Sequence, residues 1–342
     1  MLKLPIGISN FSKLRKNNYC YLDKTDLLLM LINHGAWYFL ARPRRFGKSL
    51  TISTLQAIFR GRTELFKGLA AENFVKEQSK RPSPVVYLDM SSLGTFRTRK
   101  ELEEKLKFLI QFVAEDLDLT LPPLQADSSI QILLRKLFKT QGEVVLLIDE
   151  YDVPIVRNLD KNGLLEEYRE VMQDFYSVIK SCDKFLRFVF ITGISKFAKI
   201  SLFSAMNNLI DISMHDSYGA ILGYTQDELE KYFEPLILEA AKKLNLTHEE
   251  LIFKLKEYYD GYSFDSVHKV YNPWSILNFL DVQQFNAFWS DTGYSSFLFN
   301  LLKKKKIIDL DYFHGIKVKK ILLALKKLAK PIQLVFYINV VI

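Results

Sequence analysis

Four short apolar runs constrain this chain most: WYFLA at 37–41, VVYLD at 85–89, VVLLID at 144–149 and FVFIT at 188–192. They are rich in β-branched and aromatic residues and do not alternate with polar ones. Such runs suit strands buried on both faces. Longer amphipathic segments separate them, at 49–60, 100–117, 128–139 and 164–181. Strand followed by helix, repeated, predicts an α/β fold with a parallel sheet covered by helices. After about residue 215 the texture becomes helical, with segments at 226–244, 249–259, 273–279 and 292–306. Thr225 and Glu228 have the spacing of a capping box and predict the start of the first of these. The expected division is a sheet domain at 1–215, a smaller helical domain at 216–302 and a basic tail at 303–342.

Charge separates the tail from the body. The 342 residues carry a formal charge of +8. Residues 303–342 hold ten lysines against Asp309 and Asp311, so the tail accounts for all of it. A neutral body gives no electrostatic case for a nucleic-acid surface. Within the tail, 316–330 reads as a basic helix with one apolar face. A solvated helix is the plainer reading, and a membrane surface, an acidic partner or nucleic acid are the alternatives. Cys20 and Cys182 form no CxxC pair, and the five histidines lack the spacing of a metal site. No apolar run approaches the ~18 residues of a membrane span. A reducing, cytoplasmic setting is expected.

The strongest chemical signal is RPRRFGKS at 42–49, which follows the first strand and opens a helix. A phosphate loop needs that context, because loop amides and the helix N-terminus converge on phosphate oxygens. The candidate ligand-binding residues are Arg42, Pro43, Arg44, Arg45, Phe46, Gly47, Lys48, Ser49 and Leu50. Lys48 would place its charge on the β and γ phosphates, and Ser49 would offer its hydroxyl to Mg²⁺. The general pattern wants glycine where Arg42 stands, so Pro43 and larger residues must shape the loop. Arg44 and Arg45 either add charge near the phosphates or face solvent.

The second signal is the acidic end of the third run, Asp149 and Glu150. In a parallel α/β sheet, ligands sit beyond the carboxyl ends of the strands. Asp149 is expected to hold Mg²⁺, and Glu150 to act as general base on the attacking water. Lys48 and Glu150 are thus the candidate catalytic pair. Asp152 is a second-tier candidate or a helix cap. Thr192 and Ser195 end the fourth run and could set a hydroxyl near a γ phosphate, or simply form a turn. The aromatic cluster at 258–264 with Trp274 could stack bases, although packing a helical domain is its commoner use.

At these residues the chain resembles the predicted AAA-ATPase-like family of bacteria and archaea. The resemblance is carried by LPIG at 4–7, YLDKT at 21–25, RPRRFGKS at 42–49, LIDEYD at 147–152 and TGIS at 192–195. FSAMNN at 203–208, GYT at 223–225, YDGYSF at 259–264 and YNPWS at 271–275 continue it. It implies an ASCE-type P-loop NTPase fold, with the Thr192 strand between the loop strand and the Asp149 strand. It implies ATP and Mg²⁺ at Lys48, Ser49, Asp149 and Glu150, with residues 21–25 on the base or ribose side. Arg42 then belongs to the family's own loop. Many members continue into a PD-(D/E)xK nuclease, but residues 303–342 show no such arrangement, so nuclease activity is not expected. The readings left open are an ATP hydrolase, a nucleotide-binding switch with negligible turnover, and the ATPase part of a nucleic-acid-processing protein. The partner and any oligomer are not legible in the sequence.

Overall fold

The structure, a computed structural model, describes residues 2–158, 163–194 and 206–288. The apolar runs become strands whose successive side chains enter opposite cores, which is why they are apolar along most of their length and do not alternate. These are β1 (Trp37–Ala41), β2 (Val85–Asp89), β3 (Val144–Asp149) and β4 (Leu186–Gly193). A short edge strand, β5 (Ile210–Asp211), was not legible in the sequence. All pairings are parallel and the order is β2-β3-β4-β1-β5. The Thr192 strand therefore lies between the loop strand and the Asp149 strand, as the resemblance implies.

Helices cover both faces. On one, Phe39, Leu88, Leu146, Ile148, Val189 and Ile191 pack with α5 (Arg99–Glu115), α6 (Ala126–Gln141) and α8 (Leu164–Ser181). On the other, Tyr38, Leu40, Val85, Val145, Leu147 and Phe190 pack with α1 (Phe11–Lys16), α2 (Thr25–His34), α3 (Lys48–Phe59) and α4 (Glu72–Gln78). Each fully buried aliphatic or aromatic side chain here is worth ~1.5–3 kcal/mol, so the two cores fix the register of the sheet. Register matters for function. Alternation turns Asp89, Asp149 and Thr192 towards the face on which α3 begins.

A one-turn helix, α7 (Val153–Val156), follows β3. Beyond β5 come α9 (Gln226–Lys243), α10 (His248–Tyr259) and α11 (Pro273–Val282), which share a third apolar cluster around Phe233, Leu255 and Phe279. Between α10 and α11 the structure adds an antiparallel pair, β6 (Tyr262–Ser263) and β7 (Lys269–Val270), in a stretch to which the sequence assigned no element. The segment 292–306 and the basic tail lie outside the described residues.

The capping box at Thr225 is present: its hydroxyl accepts from Glu228 N–H, and the Glu228 carboxylate accepts from Thr225 N–H at 2.8 Å. The same carboxylate pairs with Lys24 Nζ at 2.7 Å, joining α9 to the approach to α2. Burial pushes the Lys24 pKa down, and Glu228 opposes that shift. Glu228→Ala removes half of the cap and leaves a mostly buried ammonium without its counter-charge. A loss of about 2–4 kcal/mol is expected, read as a lower denaturant midpoint with unchanged slope.

Candidate functional site

The loop between β1 and α3 is built on one glycine. Gly47 has φ +96°, and a Cβ there would meet nothing within 4 Å, so its backbone angle rather than its size is what the position uses. Arg45 also has positive φ, +67°. Lys48 is the first residue of α3, so its side chain turns back over the loop. Its ammonium donates to the carbonyls of Arg42 at 2.9 Å and Pro43 at 2.8 Å. Burial lowers its pKa from 10.5 to about 8, against the opposing charges of Asp149, Asp152 and Glu150.

The next residue reaches the neighbouring strand end. Ser49 Oγ donates to Asp149 Oδ2 at 2.6 Å. Asp149 Oδ1 accepts from Glu150 N–H at 3.0 Å and from the buried hydroxyl of Thr192. Thr192 thus orients Asp149, a partner that the sequence reading did not assign to it. Glu150 follows with φ +51°, a conformation uncommon for a side-chain-bearing residue. Burial and the adjacent Asp149 raise its pKa, while Lys48 and Arg44 pull it down. Gly193 is needed for a different reason: a Cβ there would lie 2.3 Å from the Tyr151 ring. That close approach seats Tyr151 under the acidic turn.

The remaining loop and strand-end side chains lie as follows. The Arg42 guanidinium does not face the loop's hollow. It is buried and donates to the carbonyls of Ala41, Ser213 and Tyr218. Arg45 lies with its guanidinium 4.4 Å from the Trp274 ring centre, and Phe46 is buried against Tyr262 and Phe264. Trp274 and Phe264 therefore pack on the loop rather than presenting free faces to bases. Asp152 precedes α7 but makes no side-chain cap; its carboxylate accepts from Ile194 N–H at 3.1 Å. Leu50 and Pro43 sit where the sequence places them, at the start of α3 and inside the turn. Ser195 lies outside the described residues.

One acid was overlooked. Asp89 pairs in register with Asp149 across β2 and β3, so both carboxylates share a face at the carboxyl edge. The signal was available, since VVYLD ends as VVLLID does. Asp89 already accepts from Ser91 N–H, capping the turn that follows β2. On the other side of Gly47 lies an apolar cavity lined by Tyr21, Leu22, Lys24, Thr51, Tyr224 and Pro273 among others. Among the described residues there is no group of three or more His, Cys, Asp or Glu able to hold a metal. The donor set at the loop is a hydroxyl and one carboxylate beside a buried ammonium. It fits a hard cation that takes one or two protein oxygens and completes its shell with phosphate and water, as Mg²⁺ does.

Residues 5–203 match the model of a family described as "Predicted AAA-ATPase". A relative from Azotobacter chroococcum mcd 1, described as "Uncharacterized protein in vnfD 5'region", is 37% identical over 306 residues. The alignment takes in 89% of this chain and 57% of that protein, so the chain spans little more than half the relative's length. No helix among the described residues is long and apolar enough to cross a membrane.

Proposed function

The chain belongs to the predicted AAA-ATPase family, and from that premise we propose that it is a Mg²⁺-dependent ATP hydrolase. The observation that carries the proposal is the 2.6 Å bond from Ser49 to Asp149, made beside the ammonium of Lys48. It joins, on one rim of the sheet, a hydroxyl, a carboxylate and a cation contributed by two elements a hundred residues apart. Phosphoryl transfer depends chiefly on placing such groups around the transferring phosphate.

In this reading Lys48 leaves the carbonyls of Arg42 and Pro43 for the terminal phosphates. Ser49 and Asp149 hold the metal, with Thr192 fixing the rotamer of Asp149. Bound Mg²⁺ supplies neutralisation of phosphate charge. Glu150 takes a proton from water as the water oxygen bonds to the γ phosphorus. The bond from that phosphorus to the β–γ bridging oxygen breaks, giving ADP and phosphate. The raised pKa of Glu150 makes it a stronger base than an exposed carboxylate. The apolar cavity beyond Gly47 suits a base and ribose, with Tyr21 and Tyr224 as flat walls.

The lowered pKa of Lys48 predicts a pH dependence. Phosphate charge restores the protonated ammonium, so binding above pH 8 takes up a proton. MgATP affinity is expected to be flat below about pH 8. It should then fall, approaching tenfold per unit, as pH rises towards 10.5. Calorimetry in buffers of different ionisation enthalpy measures that uptake directly. A flat affinity from pH 7 to 10 would contradict contact between Lys48 and phosphate. The sign for the free fold is the reverse: the buried charge costs stability below pH 8, and the cost is relieved as pH rises from about 8 to 10.5.

A further inference from the structure

The phosphate loop has too few glycines to hold its own shape, and the structure shows what holds it. Arg42 stands where a glycine would be expected. Its guanidinium is buried, with the Phe264 ring centre 3.9 Å away. Asp211 and Asp265 oppose the cost of burying that charge. Asp265 is itself pinned, accepting from Val267 N–H and His268 N–H while meeting the His268 ring. Phe46 presents its ring edge-on to Tyr262 at 4.7 Å and to Phe264 at 5.6 Å. Arg45, the loop residue with φ +67°, lies over Trp274 at 4.4 Å. Three of the six residues between β1 and Lys48 are therefore held by side chains from 262–274, beyond the family match at 5–203.

We propose that this hairpin and the start of α11 are a working part of the nucleotide site, with Phe264 and Trp274 as positioning residues that hold the phosphate loop through Arg42, Phe46 and Arg45 and follow its change of state. The proposal rests on the reading of 42–49 as the phosphate loop. Arg42 is the pivot. Its carbonyl accepts from Lys48 on the inner side of the loop, and its guanidinium stacks on Phe264 on the outer side. When phosphates take the Lys48 ammonium, that carbonyl loses its donor. Any resettling of the backbone at 42–45 is then felt at Phe264 and Trp274. Cation–π stacking of this kind is directional, so an aliphatic side chain of similar bulk does not replace it.

The test uses the full chain with MgATP as probe, and compares calorimetric affinity with tryptophan emission. The chain has three tryptophans, Trp37, Trp274 and Trp289. Wild type is expected to show a saturable emission change on binding. Trp274→Phe keeps a ring beneath Arg45 and should lose the emission change. Phe264→Ala should weaken MgATP about tenfold while still unfolding cooperatively, and Phe264→Tyr should restore affinity. If Phe264→Ala does not fold, the Trp274→Phe emission result decides. An emission change that survives in Trp274→Phe, or wild-type affinity in a folded Phe264→Ala, overturns the clamp and leaves the nucleotide site standing. Absence of MgATP binding by wild type itself overturns the site reading and this proposal with it.

Discussion

Lys48→Met is expected to weaken MgATP binding by at least about 100-fold and to bring phosphate release to background, with little change in the stability of the free protein. The two halves of that result have one cause. In the free fold the ammonium is buried and, among the described residues, donates to the carbonyls of Arg42 and Pro43, and its pKa has dropped to about 8. Its charge costs the free fold stability at neutral pH while its hydrogen bonds to the two carbonyls oppose that cost, so a neutral side chain of similar length should leave the free protein no less stable than wild type to within about 1 kcal/mol. With triphosphate present the balance changes. The ammonium meets a full opposite charge in a site where water is scarce, and such charge-assisted contacts are worth ~2–4 kcal/mol. Calorimetry with MgATP and a thermal melt of the free protein read the two effects separately. Retained affinity in a folded Lys48→Met would place the triphosphate elsewhere.

Glu150→Gln is expected to bind MgATP as wild type does and to release phosphate ~10²–10⁴ times more slowly. Glutamine keeps the length of the side chain and imposes no new demand on the positive φ at this position. The substitution therefore removes the proton acceptor and leaves the turn in place. Single-turnover phosphate release gives the rate of the chemical step, and binding measured in parallel shows that the site is intact. Equal release by wild type and Glu150→Gln, both at background, would favour a nucleotide-binding switch over a hydrolase. Loss of binding in the variant would assign Glu150 to holding the ligand.

Much of the fold was legible because its strands are simple. VVLLID is buried for its whole length and VVYLD at all but Tyr87 and Asp89, so local composition and tertiary role largely agree. Amphipathic helices such as Leu164–Ser181 were equally plain, since their apolar stripe needs only a sheet to lie on. The edge strand β5 was not, because two residues at a sheet margin leave no period to read. The hairpin β6–β7 was missed for a related reason: its aromatic residues look the same whether they pack a helix bundle or a loop far earlier in the chain. The order of Lys48, Ser49, Asp149 and Glu150 was carried by motif spacing. Their mutual contacts were not, and neither was the role of Thr192, whose hydroxyl meets Asp149 only because β3 and β4 are neighbours.

The sequence by itself determined that this chain makes a helix-covered parallel sheet with a lysine-bearing turn after its first strand and acids after a later one. Those features follow from side-chain period and from the few residues that tight turns admit, and both act over short stretches of chain. Only the tertiary structure decided that Arg42 turns outward to Phe264, that Trp274 lies under Arg45, and that Asp89 stands level with Asp149. Each of these depends on strand order and on where a distant hairpin docks. Buried charge and aromatic faces bind through contact, and contact between residues so far apart in the chain exists only after folding.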